Sequence, residues 1–225
     1  MIWPRLQLRM QEENTYTWLM NELRHGLSAD HYKAWEKRLR QLDERSLQQI
    51  LERIAPLSGS HNRSEIRMWR PLFDTLNETR GYQLLRTLEY SSVSFIPRSE
   101  SKRQLKTPDL YGIAAFGEAL CEVKTLNLSH KDIARFGKSR DAFHGLPEGL
   151  KCKIKTNYSQ ACKQLHSPLV RLQGRSVRRI CYFWLNLDLS FQLASSNEKL
   201  LNEYLKSIEK ECEIFHAAKW TEDAI

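Results

Sequence analysis

The segment at residues 179–189 reads RICYFWLNLDL and is apolar at almost every position. A strand with one covered face alternates apolar and polar residues, whereas a nearly continuous apolar run indicates a strand covered on both faces. Both faces of a strand are covered when helices pack on either side of its sheet. The chain is therefore expected to be an α/β protein with this strand inside its sheet.

Hydrophobic periodicity predicts the elements around that strand. From residue 64 the expected order is helix, strand, strand, strand, helix, strand, helix, with bounds 64–80, 88–96, 109–115, 119–125, 150–166, 179–189 and 197–212. The first three strands are expected to form an antiparallel meander. A helix joins the third strand to the fourth, so these two are expected to be parallel. The prediction is a mixed sheet flanked by helices.

Residues 13–57 have apolar positions at helical spacing, and the polar stretch LSGSHNRS at 57–64 is typical of a linker. We therefore predict an N-terminal helical region at 1–57 and a main domain at 62–225. No apolar run is long enough to span a bilayer, and no signal-peptide pattern is present. We expect a cytoplasmic protein with no membrane partner.

Three charged residues interrupt the predicted hairpin of strands 109–115 and 119–125. Residues two apart in a strand share a face, so Glu122 and Lys124 project together, and the alternate residues project into the core. A hairpin that turns near Gly117 would place Asp109 opposite residues 124–125 and diagonal to Glu122. Adjacent carboxylates repel unless a cation relieves them, and Mg²⁺ with oxygen ligands would do so. The alternative is a salt-bridge cluster on a hydrated sheet face.

Pro108-Asp109 followed by Glu122-Val123-Lys124 resembles the signature of the PD-(D/E)XK nuclease superfamily, with Glu as the second acid. The resemblance covers roughly residues 62–190 and implies a restriction-endonuclease-like αβββαβ core. It also implies hydrolysis of phosphodiester bonds with Mg²⁺, for which Mn²⁺ could substitute. Asp109 and Glu122 would be the metal ligands, and Lys124 would position the attacking water.

By the same resemblance, two predicted helices add residues to this site. Glu65, near the start of helix 64–80, matches a position where several branches of the superfamily carry a further metal ligand. It fits a capping box with Asn62 equally well. Helix 150–166 has a polar stripe that includes Gln160 and Gln164, in the place where relatives contact the phosphate. A solvated helix face is the alternative for that stripe.

Positive charge is concentrated directly after this motif. The net charge is +8, and residues 131–179 hold twelve Lys or Arg against three acids, a local net charge of +9. A polyanion is therefore the expected partner, with phosphate contacts from Lys151, Lys153 and Lys155. The alternative is a solvated basic face.

Five cysteines in no regular framework indicate free thiols rather than disulfides. The pairs Cys162/His166 and Cys212/His216 each have a spacing that would place both side chains on one face of a helix. Such pairs can bind zinc, although the spacing matches no common zinc module, and zinc binding is left open.

The sequence therefore predicts a Mg²⁺-dependent endonuclease acting on DNA, with RNA as the alternative substrate and exonuclease action as the alternative mode. A second hypothesis is a catalytically inactive, nuclease-like module that binds nucleic acid or protein within a larger complex. Cleavage of both strands of a duplex would favour a homodimer, because two strands need two sites.

Overall fold

The computed structural model describes residues 37–58, 70–97, 106–127, 146–168, 170, 172, 176–186 and 195–218. The chain is divided into two compact units, Met1–Phe95 and Ile96–Ile225. The described helices are α1 (Glu44–Ser58), α2 (Arg70–Thr87), α3 (Glu148–Leu165) and α4 (Ser195–Ile208). The strands are β1 (Ser92–Phe95), β2 (Leu110–Ala114), β3 (Gly117–Asn127), β4 (Val177–Asn186) and β5 (Glu213–Ala218).

The architecture is α/β, with a five-stranded mixed sheet in the order β1-β2-β3-β4-β5 flanked by helices. β2 and β3 are antiparallel, and β3 and β4 are parallel, which confirms both predicted orientations. Of the helices described, none is both long and apolar enough to cross a lipid bilayer.

In the first unit, Asp43 is the N-cap residue of α1. Its Oδ1 accepts a hydrogen bond from the amide of Ser46 at 2.8 Å, and its Oδ2 accepts one from the hydroxyl of Tyr82 at 2.9 Å. The Tyr82 ring stacks on Phe95 of β1 at 5.9 Å between centroids, and the guanidinium of Arg53 lies 5.4 Å from the same ring. Asp43 therefore ties the start of α1 to α2.

α2 is unusual in burying a run of polar residues, namely Thr75, Asn77, Glu78, Thr79 and Arg80. Buried polar groups need partners, and several are present: Glu78 pairs with Arg53 of α1, and the hydroxyl of Thr79 donates to the carbonyl of Leu76. The helix continues to Thr87, seven residues beyond its predicted end, and Gly81 and Tyr82, directly after that end, are buried within it.

β4 confirms the prediction of a strand covered on both faces. Every residue at 180–185 is buried, with exposed fractions between 0% and 5%. On one face, an apolar cluster joins β3 and β4 to α3 and α4. Its strand members are Leu120, Leu126, Cys181, Phe183 and Leu185.

Glu122 and Lys124 lie on the same face of β3 as Leu120 and Leu126, and this is the face that the apolar cluster covers. The alternate residues were expected to face a core, and the face of Glu122 and Lys124 is covered as well, because a strand within an α/β sheet is covered on both sides. Cys121, on the other face, is also fully buried.

The register of the β2–β3 hairpin differs from the prediction by two to three residues. Leu110 pairs with Cys121 and Ala114 with Gly117, so the turn consists of Ala115 and Phe116 alone. Extended by one residue, this register places Asp109 opposite Glu122 rather than opposite residues 124–125. The number of residues in the turn sets the register of a hairpin. Here the turn lies directly before Gly117, whereas the prediction centred it on Gly117.

β5 was not predicted. The chain leaves α4 at Ile208, earlier than the predicted end at 212, and residues 213–218 then pair in parallel with β4. Arg178 and Glu213 hold the two strands together through hydrogen bonds of 2.8 and 2.5 Å. The hydrogen bonds from Arg178 lower the pKa of Glu213 despite its partial burial.

Candidate active site

The backbone brings Asp109 and Glu122 together at the open end of the β2–β3 hairpin. Asp109 precedes β2, and its Oδ2 accepts a hydrogen bond from the amide of Val123 at 2.9 Å. The backbone carbonyl of Asp109 accepts a second bond from the amide of Ile96, also at 2.9 Å. Asp109 is thus fixed by both its side chain and its backbone beside the strand that carries Glu122.

Lys124 forms a buried ion pair with Glu122. Its Nζ lies 2.6 Å from Oε1 of Glu122, and the two side chains are 17% and 3% exposed. Charges removed from water in this way interact strongly, and removal of one partner leaves the other buried without compensation. Removal of one partner should therefore destabilise the protein more than the same change in an ion pair at the surface.

Gln164 of α3 contacts the Lys124–Glu122 ion pair through Lys124. Its Oε1 accepts a hydrogen bond from Nζ of Lys124 at 2.8 Å, and its Nε2 donates to the carbonyl of Thr107 at 3.3 Å. The side chain therefore links α3 to β3 and to the segment just before Asp109. Lys124 is held between two acceptors, which fixes the position of its ammonium group.

The electrostatics of two neighbouring thiols reflect the nearby acids. Burial raises the pKa of Cys121 well above its usual range, and the negative charges of Asp109 and Glu122 raise it further. Burial also raises the pKa of Cys181, which pairs with Glu122 in the β3–β4 register. Both thiols therefore stay protonated at neutral pH in the metal-free protein.

The donor set fits a hard divalent cation. Mg²⁺ is commonly bound by one or two carboxylates, with water and substrate oxygens supplying the other ligands, and Asp109 and Glu122 are two such carboxylates on adjacent chain segments. Within the described part of the chain, no group of three or more His, Cys, Asp or Glu residues is suited to a metal. Glu65, the predicted further ligand, lies outside the described residues.

The predicted phosphate-binding lysines lie on two sides of α3. Lys153 falls on the side of Gln164, whereas Lys151 and Lys155 fall on the opposite side, because residues two apart in a helix are about 200° apart. Lys151 is 3.5 Å from Glu148. Gln160 is exposed, and most of the loop within the basic segment 131–179 lies outside the described residues.

The two Cys/His pairs lie in different kinds of element, one at the end of a helix and the other at the start of a strand. Cys162 and His166 do lie at the end of α3, where Nδ1 of His166 is 2.8 Å from the carbonyl of Cys162. His216 lies in β5 and Cys212 directly precedes that strand, so this pair does not lie on one face of a helix.

Two polar contacts were missed from the sequence, one beside Asp109 and the other near the turn of the β2–β3 hairpin. Thr107 acts through its backbone carbonyl, for which no side-chain signal exists. Glu118 is fully buried and accepts a hydrogen bond from the hydroxyl of Tyr111 across the hairpin. Strand alternation places Glu118 on the same side as Glu122, but only the correct register reveals Tyr111 as its partner.

The chain matches no protein-family model, no curated protein and no solved structure. The resemblance to the PD-(D/E)XK superfamily therefore rests on the motif and on the order of the elements.

Proposed function

We propose that the chain is a metal-dependent nuclease that hydrolyses phosphodiester bonds of DNA, with a restriction-endonuclease-like core. The observation that supports this most is the convergence of three side chains at one end of the β2–β3 hairpin. Asp109 and Glu122 occupy opposing positions, and Nζ of Lys124 lies 2.6 Å from Glu122. The order α2-β1-β2-β3-α3-β4, with β3 parallel to β4, is also that of the αβββαβ core.

In this proposal, Asp109 and Glu122 hold Mg²⁺ or Mn²⁺ through their carboxylate oxygens. The bound cation would lower the pKa of a water molecule and polarise the scissile phosphate. Lys124 would donate a hydrogen bond to the attacking water or to a phosphate oxygen, and would stabilise the negative charge that develops there. Gln164 would keep the ammonium in place, so that little reorganisation is needed during the reaction.

The test is cleavage of linear, circular and single-stranded DNA, and of RNA, with Mg²⁺, with Mn²⁺ and with EDTA. We expect DNA cleavage only with a divalent cation. Asp109→Asn and Glu122→Gln each remove a ligand charge and should reduce the rate by roughly a hundredfold or more. Circular DNA should be cut if the enzyme is an endonuclease.

Glu118→Gln is the matched control for Glu122→Gln. Both residues lie on β3 and both are buried, but Glu118 bonds to Tyr111 rather than to Lys124. The control should retain wild-type cleavage. Equal loss in both variants would indicate a folding defect, and undiminished cleavage in EDTA would contradict the proposal.

The alternative is a nuclease-like module that binds without cleaving. The ion pair of Lys124 with Glu122, supported by Gln164, would also serve a purely structural purpose. DNA binding without cleavage under every metal condition would favour this second function.

A further inference from the structure

A cleft on the other side of α3 has the composition of a ligand site. It lies between α3, α4 and the loop that leads to β5, and it encloses about 630 Å³, within the range of roughly 300–1,000 Å³ that is typical of ligand pockets. Its α3 residues include Lys155, Cys162 and Lys163. At 100° per residue these lie roughly 100–180° around the helix from Gln164, so the α3–α4 cleft is separate from the candidate active site.

One tyrosine, Tyr158 of α3, links two of the segments that line the α3–α4 cleft. The hydroxyl oxygen of Tyr158 accepts hydrogen bonds from the amides of Lys210, Glu211 and Cys212, at 2.9–3.1 Å, and donates one to the carbonyl of Cys212 at 3.0 Å. This tyrosine ties α3 to the loop between α4 and β5. The cleft is therefore preorganised, which lowers the entropic cost of ligand binding.

A second tyrosine, Tyr204 of α4, lines the same cleft. Its hydroxyl donates to the carbonyl of Lys151 at 3.0 Å. Burial raises the pKa of Tyr158 and also that of Tyr204, so both phenols stay neutral at physiological pH. Both hydroxyls are already engaged within the protein, and Tyr158 is buried in the apolar core, so the partly exposed Tyr204 presents its ring rather than its polar end to a ligand.

Positive charge surrounds this aromatic surface. Lys155, Lys163 and Lys210 all line the cleft and are exposed, and none of them forms an ion pair with another residue of the described chain. Glu211 is the one acid among the lining residues. A ligand that complements this cleft therefore carries several negative charges together with flat apolar groups.

Single-stranded nucleic acid has this combination, because its phosphates pair with lysines while its unstacked bases stack on aromatic rings. We propose that the α3–α4 cleft binds single-stranded nucleic acid, with Lys155 and Lys163 contacting phosphates and Tyr204 stacking on a base. The assignment does not depend on cleavage, and it adds a strand-holding site to the protein that is distinct from the carboxylate site.

The test is fluorescence anisotropy with a labelled oligo(dT) in EDTA, in a Glu122→Gln background that prevents cleavage. The double variant Lys155→Glu/Lys163→Glu should weaken binding by roughly tenfold or more at low salt, through loss of phosphate contacts. Lys199→Glu/Lys206→Glu is the matched control. It makes the same change in charge at exposed positions of α4 that point away from the cleft, and it should weaken binding less than about twofold.

Tyrosine variants separate stacking from folding. Tyr204→Leu removes the ring and should weaken binding by roughly fivefold or more. Tyr204→Phe keeps the ring and loses only the hydrogen bond to Lys151, so it should bind like the wild type.

Three results would overturn the assignment. One is equal weakening by the cleft and control lysine variants, and another is equal loss in Tyr204→Phe and Tyr204→Leu. The third is binding of a poly-glutamate peptide in place of oligo(dT), which would identify an acidic protein as the partner. The assay measures binding without metal, so these three results can be interpreted even if the protein proves to have no nuclease activity.

Discussion

Lys124 and a divalent cation would compete for the charge of Glu122. The ammonium is 2.6 Å from Oε1 and is largely shielded from solvent. A cation bound to the same carboxylate would be repelled by Lys124, and this repulsion is stronger in a partly buried site than in water. In the proposed metal site, the lysine would therefore stabilise the acidic pair before the metal binds and would lower the affinity for the metal.

Lys124→Met is accordingly expected to tighten Mn²⁺ binding by about tenfold while it abolishes cleavage. Calorimetry or Mn²⁺ electron paramagnetic resonance would measure the affinity without requiring turnover. Lys151→Met is the control, because it removes a lysine that is paired with Glu148 at 3.5 Å and lies away from Gln164. Unchanged Mn²⁺ affinity in Lys124→Met would show that the ion pair does not oppose the metal. No Mn²⁺ binding in either protein would contradict the nuclease proposal itself.

Among the elements, α1 depends on a titratable cap. Burial alone would raise the pKa of Asp43, but hydrogen bonds from Ser46 and Tyr82 outweigh it and the pKa is lowered. The folded state therefore binds fewer protons than the unfolded state near the pKa of a free Asp, which is about 3.9. Asp43 contributes stability above that pH, and its contribution is lost as the pH falls through the depressed pKa of the folded state.

Asp43→Ala should reduce the free energy of unfolding by about 1 kcal/mol at neutral pH, through loss of the cap. Urea denaturation at neutral and acidic pH would measure this. Asp43→Asn keeps an acceptor for the amide of Ser46 but does not titrate, so the stability difference between it and the wild type should change as the pH falls below about 4. A constant difference across that range would exclude Asp43 as a contributor to acid sensitivity.

The β2–β3 hairpin depends on one glycine. Gly117 has a φ of +153°, and a Cβ atom there would lie 2.6 Å from the carbonyl oxygen of Ser176, which also accepts the amide of Glu118. Gly117→Ala should destabilise the protein by roughly 1–3 kcal/mol through backbone strain and this clash. Thermal unfolding would measure the loss, with Ala115→Gly in the exposed turn as the control. Wild-type stability of Gly117→Ala would mean that the hairpin turns differently.

The elements that could be predicted from the sequence have local signals. The apolar run of β4 and the apolar stripe of α3 (Ile154, Tyr158, Ala161 and Leu165) match the buried residues. The shared face of Glu122 and Lys124 follows from the two-residue period of a strand. The predicted register of the hairpin was wrong because register depends on the length of the turn, which the sequence pattern does not determine. β5 was missed because no glycine or proline separates it from α4, and its pairing with β4 is a long-range contact.

The same distinction holds for the candidate site. Strand alternation predicts that Glu122 and Lys124 are neighbours, but the hydrogen bond from Lys124 to Gln164 joins residues forty positions apart. The polar stripe of α3 indicated both Gln160 and Gln164, and only the packing of the helix on the sheet selects Gln164. Such selection by tertiary packing has no equivalent in a one-dimensional pattern.

At the scale of the whole molecule, charge distribution decides how DNA would be held. The net charge is +8, and the basic segment 131–179 alone carries a net +9, so the remainder is close to neutral. Lysine ammoniums and backbone phosphates attract one another without regard to base sequence, and each ion pair formed releases condensed counterions. The salt dependence of DNA affinity should therefore give the number of phosphates that the basic segment neutralises.

Affinity for duplex DNA should fall steeply with salt, with a slope of about −0.9 in log K against log salt for each phosphate that the protein neutralises. Anisotropy titrations over a range of KCl concentrations, with Glu122→Gln protein in EDTA, would give the slope. Combined charge reversal of Lys151, Lys153 and Lys155 should weaken binding and make the slope shallower by about 0.9 for every phosphate that the variant no longer neutralises. Charge reversal of Lys37, Lys199 and Lys206, which are exposed outside the basic segment, changes the net charge by the same amount and should leave the slope intact. If both triple variants lowered the slope equally, overall charge rather than the basic segment would attract DNA, and a slope near zero would exclude phosphate binding altogether.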